Sequence, residues 1–511
     1  MFVPLSRKIT KIMKKALLSL LLAACTLTLA AQEAKTEPLH TDTLAPAVQE
    51  AVPADTLTAD TLALAHRLDS IVAQYLPNGS NAGIAIYDLT ARRPVYDYQA
   101  DRLSRPASTM KLLTAIAALS HPDAREPFRT EVWYRGTVQA DTLRGDLYVV
   151  GGFDPEFDDE ALDSLAEAVA RLPFSVIAGK VYGDVSMKDS LHWGSGWLWD
   201  DNPSAFQPYL SPLMLEKGVV TVSARPAERG MPALLRCTPA STYYRLVNRT
   251  TSGNPRAGGF RLTRDWMHNS NTLVATGNVG RRTARVINLY SSQDFFMHTF
   301  VERLQQRGVA ADPLYGFREF HPDSLAVRVA VHETSMQDVL DQCLKESDNL
   351  NAEALLYRLG KQATGRRYIS ADDGLDAVND LIEQLDLDPD DYNLADGCGL
   401  SHYDYVTPEL LVAFLRYAYG RTDVFQSLYK ALPVSGVDGT LEHRMGYRTP
   451  GFRRVHAKTG TYTGVSCLAG YLQAKNGHWV AFAIMNQNTL SGRKARRLQD
   501  AVCTEVITGL R

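Results

Sequence analysis

The sequence predicts an α/β (α+β) protein in which one catalytic fold is interrupted by a long, mainly β insert. Three observations carry this expectation. Two strand patterns, at 83–89 and 94–98, lead directly into an apolar helix that opens at Ser108. Alternating strand patterns return near the C-terminus, at 465–472 and 479–486, so that strands from both ends of the chain flank a helical middle. Between Ser108 and Ser347 lie 239 residues, more than a single helical subdomain needs, and most of them read as strands.

Taken in order, residues 1–31 read as a secretory signal: a basic stretch (Arg7, Lys8, Lys11, Lys14, Lys15), an apolar run at 16–24, and small residues up to Ala30-Ala31. The mature chain is therefore expected to be exported and periplasmic. Leu22-Ala23-Ala24-Cys25 also resembles a lipobox, which would anchor the chain by a lipid on Cys25; plain cleavage is favoured because the apolar run continues through Leu27 and Leu29. The whole chain carries a net charge of −3. Loss of residues 1–31 removes five Lys/Arg and no acid, leaving 49 basic against 57 acidic residues, a net of −8 with no basic field for nucleic acid. No later apolar run approaches the roughly 20 residues that span a bilayer.

The segment 32–59 is rich in Ala, Thr, Pro, Asp and Glu, repeats Asp-Thr-Leu, and reads as a flexible tether. A helix is expected over 62–76, ended by Pro77-Asn78-Gly79. The insert shows strand patterns at 129–134, 143–150, 176–185, 219–223 and 286–290, with one helix at 158–172 whose first turn is favoured by Asp158 and Asp159. Helices resume at 335–359 and 371–385. A loop follows at 394–401, then a hairpin turn at Ala474-Lys475-Asn476-Gly477 and a closing helix at 493–509. The expected division is a catalytic domain of 60–127 and 326–511, an inserted domain of 128–190 and 270–325, and a second inserted domain of 191–269. Cysteines 237, 343, 398, 467 and 503 are odd in number and lack C-x-x-C, so no disulfide scaffold is expected, although one bridge stays open. No cluster has zinc or calcium-loop spacing, and neither metal nor cofactor is called for.

Chemistry concentrates in three short motifs: Ser108-Thr109-Met110-Lys111, Ser347-Asp348-Asn349 and Lys458-Thr459-Gly460. Residues three apart share a helix face, so the Lys111 amine can reach the Ser108 hydroxyl and, when neutral, take its proton. Lysine ordinarily titrates near about 10.4, so Lys111 needs burial and a second cation, Lys458, to favour its neutral form. Ser491-Gly492-Arg493-Lys494 repeats the first pattern but reads as a solvated helix start. Ser252-Gly253-Asn254 reads as a loop, and His456 as a packing or surface histidine.

Together with Gly151-Gly152-Phe153-Asp154-Pro155 and Asp396-Gly397-Cys398-Gly399-Leu400-Ser401, these motifs resemble those of the class C low-molecular-mass penicillin-binding proteins, serine D-Ala-D-Ala carboxypeptidases/endopeptidases. The long first gap is that family's hallmark. Cys398 stands where serine is usual, and Phe153 and Glu156-Phe157 also depart from the pattern. The resemblance implies the penicillin-binding-protein/β-lactamase-like serine transpeptidase fold, peptidoglycan stem peptides as substrates and β-lactams as inhibitors. It implies Ser108 as nucleophile on the penultimate D-Ala carbonyl and Lys111 as base. Lys458 would bind the substrate's terminal carboxylate with Thr459 or relay a proton through Ser347, and Asn349 would hold Lys111 or the substrate amide. Thr459, Gly460 and Thr461 line the substrate, with the oxyanion between the Ser108 and Thr461 amides. Asp184, on a strand of the insert, would bind the amino group of the third stem residue. A serine β-lactamase and a non-catalytic envelope-binding protein are the alternatives; no Glu-x-x-Leu-Asn of a class A lactamase occurs. The balance of carboxypeptidase and endopeptidase activity, and the oligomeric state, stay open.

Overall fold

The computed structural model describes residues 59–253 and 258–510. The signal at 1–31, Cys25 and the tether up to residue 58 lie outside the described residues. An antiparallel five-stranded sheet runs in the order Val455–Tyr462, Gly464–Gln473, Trp479–Thr489, Asn81–Asp88, Arg93–Tyr98. The two ends of the chain thus meet in one sheet, with Ile84 opposite Ile484. Because side chains alternate across a strand, Ile84, Ile86, Leu468, Phe482 and Ile484 pack on one face with Leu64 and Leu68 of the helix Ala59–Tyr75 and Leu498 and Val502 of Gly492–Gly509. Ala85, Cys467, Ala469, Tyr471, Ala483 and Met485 face the other way, into a helical layer. Burial on both faces explains why these strands read as apolar runs.

The centre of that layer is Met110–Ser120, buried from Met110 to Ala118 on all sides, as a core helix must be. The single helix expected over 335–359 is in fact two, Met336–Lys345 and Asn349–Thr364. Asp348 stops the continuous reading: its carboxylate caps the second helix by accepting from the Asn351 amide at 3.1 Å. Ser347 in the break adopts a left-handed φ of 63°. The interruption turns the Ser347 side chain out of the helix and toward Lys458.

The insert is mainly β. One sheet has the order Gly316–Phe317, Val181–Asp184, Thr142–Gly151, Phe128–Gln139, Ala326–Thr334, and two three-stranded sheets use strands between Val219 and Asn288. The helix Asp159–Ala170 begins as expected, with Asp158 accepting from the Ala161 amide at 2.8 Å. Pairing crosses two of the expected boundaries. Ala326–Thr334 bonds to Phe128–Gln139, although 326 was placed in the catalytic domain. Thr283–Asn288 pairs with Val219–Arg225, across the division at 269/270. Boundaries drawn from composition cannot see partners 60 to 200 residues away. All five cysteines beyond the undescribed N-terminus are free thiols.

Candidate active site

Ser108 sits in a single 3-10 turn, Ala107–Thr109, immediately before the core helix. Two glycines let neighbouring backbone close on this turn. A Cβ on Gly399, itself at φ 76°, would fall 1.9 Å from the Ala107 carbonyl oxygen. A Cβ on Gly460 would fall 2.6 Å from the Pro106 carbonyl and 3.0 Å from the Ser108 amide. The glycine of Lys-Thr-Gly is thus a requirement of approach: it lets the Lys458 strand lie against the Ser108 amide.

Lys111 is fully buried and donates to three acceptors: Ser108 Oγ at 3.1 Å, Asn349 Oδ1 at 2.7 Å and the Cys398 carbonyl at 2.7 Å. An ammonium has three donors and no acceptor, so this geometry satisfies it completely. On losing one proton it keeps N–H donors for Asn349 and Cys398 and presents its lone pair to Ser108. The two fixed partners therefore aim that lone pair at Ser108. Lys458, also fully buried, donates to Ser347 Oγ at 2.8 Å and to the Thr459 carbonyl at 2.8 Å. Burial first, and the nearby Lys111 charge second, push Lys458 well below the ordinary lysine range.

Beneath Lys111, the loop carrying Cys398 is wound around Asp396. One oxygen of Asp396 accepts from the Cys398 and Gly399 amides at 3.1 and 2.6 Å, the other from Ser401 N at 2.7 Å and Trp197 Nε1 at 2.8 Å. Glu353 accepts from the Gly397 amide at 2.9 Å; burial, then the Asp396 charge, push its carboxyl up to about 8. Glu353, Asp396 and Cys398 bring their ligand atoms within 4.8 Å of one another. Both carboxylates already serve loop amides, and burial holds the thiol protonated well above its usual range, which makes the trio a loop support rather than a metal centre.

Ser108, Ser347, Thr459 and Thr461 line one cleft of about 340 Å³, together with Arg444 and Arg496. Thr459 donates to Thr440 Oγ1 at 2.8 Å. Gly460 is buried against the Ser108 turn and Thr461 is exposed. The motif residues named from the sequence thus come together at one place, and Asp184 does not join them. Its carboxylate is buried and accepts from the Ser186 and Phe320 amides, both at 2.8 Å, with Arg367 3.8 Å away. Those contacts make it a strand-end support of the insert, and the expectation that it reaches the cleft is corrected on that ground. Ser491 caps Gly492–Gly509, Ser252 accepts from the Ala227 amide, and His456 stacks on Tyr429 at 3.9 Å, where burial lowers it to about 4.

The sequence reading missed the wall that the insert places over the site. The Phe206 carbonyl accepts from Asn349 Nδ2 at 2.8 Å, Trp197 holds Asp396, and Gly196 packs against Ser401 and Tyr403. Lys217 reaches Asp348 at 2.9 Å and Glu156 at 2.7 Å, so the acid of Ser-Asp-Asn ties insert to helix. A signal was there: Trp193, Trp197 and Trp199 put half of the chain's six tryptophans within seven residues. Arg496, two residues past the Ser491–Lys494 helix start read as solvated, carries no sequence signal that singles it out.

This fold and this pairing of two serines with two buried lysines define a serine peptidase of the penicillin-interacting class. The chain belongs to the D-Ala-D-Ala carboxypeptidase 3 (S13) family, which it matches over residues 64–506. It is 32% identical to the D-alanyl-D-alanine carboxypeptidase of Actinomadura sp. (strain R39), over 89% of this chain and 86% of that one. Identity to the D-alanyl-D-alanine carboxypeptidase DacB of Haemophilus influenzae is 26%, over 81% and 86%. In fold it is similar to the crystal structure of penicillin binding protein 4 (dacB) from Haemophilus influenzae, with a TM-score of 0.74 at 23% identity, covering 86% of this chain and 99% of that one. A structure of that protein complexed with a β-lactam gives 0.67 at 21% identity, again over 86% and 99%.

Proposed function

We propose that the protein is a serine-type D-Ala-D-Ala carboxypeptidase, with DD-endopeptidase activity on cross-links, which hydrolyses peptidoglycan stem peptides through a Ser108 acyl-enzyme and is acylated by β-lactams. The observation that carries this reading is the aim of Lys111: its amine is pinned by Asn349 and Cys398 and has Ser108 Oγ as its third partner. Ser108 Oγ bonds to the carbonyl carbon of the penultimate D-Ala as its proton passes to Lys111. The oxyanion is held by the amides of Ser108 and Thr461, a contribution worth about 10²–10³ in rate per donor. The C–N bond then breaks as the proton held on Lys111 passes by way of Ser347, which Lys458 orients, to the leaving nitrogen, so that Lys111 is neutral again. Water then attacks the acyl-enzyme carbonyl, giving its proton to Lys111, which returns it to Ser108 Oγ as the ester bond breaks.

At the cleft, Arg496 suits the terminal carboxylate of the substrate, whereas Arg444, which also lines it, is already paired with Asp500 at 2.5 Å. With Asp184 committed to the insert, Asp201 is the acid proposed to meet an amino group on the stem peptide. It follows the tryptophan-rich stretch and lies within electrostatic reach of His402, whose carbonyl accepts from Arg105 at 3.1 Å. Membership of a peptidase family speaks against the β-lactamase alternative, and the assembled motif residues speak against a purely binding role. The signal-like N-terminus supports export to the periplasm. Among the described residues no helix is long and apolar enough to cross a membrane.

The test is release of free D-Ala from a pentapeptide ending in D-Ala-D-Ala, together with product analysis of digested peptidoglycan. Release of D-Ala supports the carboxypeptidase. Cleaved cross-links without D-Ala release would reduce it to an endopeptidase, and neither product would overturn the assignment.

A further inference from the structure

A second cavity, of about 420 Å³, opens on the wall beside the cleft. Its lining is aromatic: Trp193, Trp197, Trp199 and Trp266 contribute indoles, with Tyr209 behind them. Trp199 and Trp266 approach at 5.0 Å between ring centroids, and Trp193 and Tyr209 at 4.7 Å. Trp199 is 67% exposed and Trp193 41%, an unusual cost for rings of this size on a surface. Into this aromatic setting comes one buried amide. Gln207 is 2% exposed and donates through Nε2 to the Leu198 carbonyl at 3.0 Å, while its Oε1, also buried, accepts no hydrogen bond among the described residues. A buried amide oxygen without a donor costs free energy unless a ligand N–H or O–H meets it.

We infer that this cavity is a glycan subsite, in which an N-acetylated amino sugar lies with its pyranose face on the indoles and its acetamido N–H donates to Gln207 Oε1. The inference rests on the proposed peptidase reading and deepens it: the sugar belongs to the glycan strand that carries the stem peptide being cut. Flat indole faces suit the C–H side of a sugar ring, the acetamido methyl adds apolar contact, and its N–H is the donor the glutamine lacks. A free amino sugar would bring an ammonium to a cavity whose lining holds no carboxylate. The cavity also adjoins the chemistry. Trp197 lines it and donates to Asp396, whose loop presents the Cys398 carbonyl to Lys111. Four extended residues between sugar and scissile bond span about 13 Å, the reach this reading requires between the cavity and Ser108.

Tryptophan fluorescence of the full mature chain is titrated with tri-N-acetylchitotriose, its deacetylated counterpart and maltotriose. The N-acetylated trimer should give a saturable change that the other two do not. Trp199→Ala, at an exposed position, should raise its Kd about tenfold, the loss of roughly one stacking contact. In kinetics, the ratio of kcat/KM for a disaccharide-pentapeptide to that for the sugar-free pentapeptide should exceed one and fall toward one in Trp199→Ala and Gln207→Leu. Acylation by benzylpenicillin should be unchanged in both variants. Equal binding of all three trimers, or a substrate ratio that neither variant moves, overturns the glycan subsite. Failure of the unaltered protein to react with benzylpenicillin overturns the peptidase reading instead, and the titration then decides the sugar site by itself.

Discussion

On the floor of the cleft, Lys111 and Lys458 are both fully buried, each hydrogen-bonded to a serine and to a backbone carbonyl. On the wall, supplied by the insert, Trp199 and Phe206 are 67% and 49% exposed, and Asn349, Asp396 and Asp348 are among the residues that tie that wall to the floor. On the proposed mechanism, charge is buried where bonds to the substrate are made and broken, while apolar surface is exposed where the substrate would be recognised. Both arrangements cost stability, and both are held by packing elsewhere. The difference predicts that changes to the floor abolish chemistry on every substrate, whereas changes to the wall alter only the choice among substrates.

The largest effect should come from the lysines. Lys111→Ala and Lys458→Ala are each expected to slow acylation by about 10²–10⁴ with penicillin and peptide alike. Since a lysine base works only when neutral, acylation should rise with pH between about 6 and 9. A flat profile in that range would contradict the amine base, and selective loss on one substrate would contradict a shared floor. Next comes Gly399→Ala, which forces a side chain onto the Ala107 carbonyl at a positive φ. The strain, about 1–3 kcal/mol, should lower Tm and acylation together; wild-type behaviour would mean the loop is freer than the contact implies.

The two aspartates then separate recognition from support. Asp201→Asn should reduce kcat/KM about tenfold for peptides with an amino group on the third residue, the worth of one charged hydrogen bond. Acylation by benzylpenicillin should stay the same. Asp184→Ala should instead cost about 1–3 kcal/mol of stability by orphaning the Ser186 and Phe320 amides, with equal kcat/KM ratios on the two substrates, so exchanged phenotypes would return recognition to Asp184. The smallest effect is a titration. Glu353 keeps its proton in the folded protein up to about pH 8, while an unfolded glutamate releases it near about 4.3. The native state binds more protons across that window, so stability is full below it and falls as pH rises through about 8. Glu353→Gln retains an acceptor for the Gly397 amide without titrating. Its Tm advantage over the wild type should grow between pH 5 and 9, and a constant difference would show that Glu353 is charged throughout.

The same contrast decides what could be read from the sequence. The motif residues were legible because each is a short string with a chemical rationale, set on an element whose periodicity marks it. Strand pairing between the two ends was legible as well, since Ile84 and Ile484 stand in apolar strand pairs at opposite ends of a chain whose middle reads as helical. Ser347 was found, but not the helix break that aims it, because Asp348 acting as a cap looks in sequence like one more polar helix residue. Asp184 was expected at the cleft because it stands where the resembling family carries a substrate-binding acid, and only its bonds to two amides show that both oxygens are occupied. Arg496 and the tryptophan wall were missed for one reason: their role depends on which surface the folded insert brings over the cleft, and neither periodicity nor spacing records that.

The central claim is that Ser108 is the residue acylated. Incubating the protein with benzylpenicillin, digesting it and locating the adduct by mass spectrometry tests this directly. The account predicts one long-lived penicilloyl group on the peptide containing Ser108, absent from Ser108→Ala, whose fold is otherwise intact by circular dichroism. An adduct on Ser491, or labelling that persists in Ser108→Ala, would contradict it.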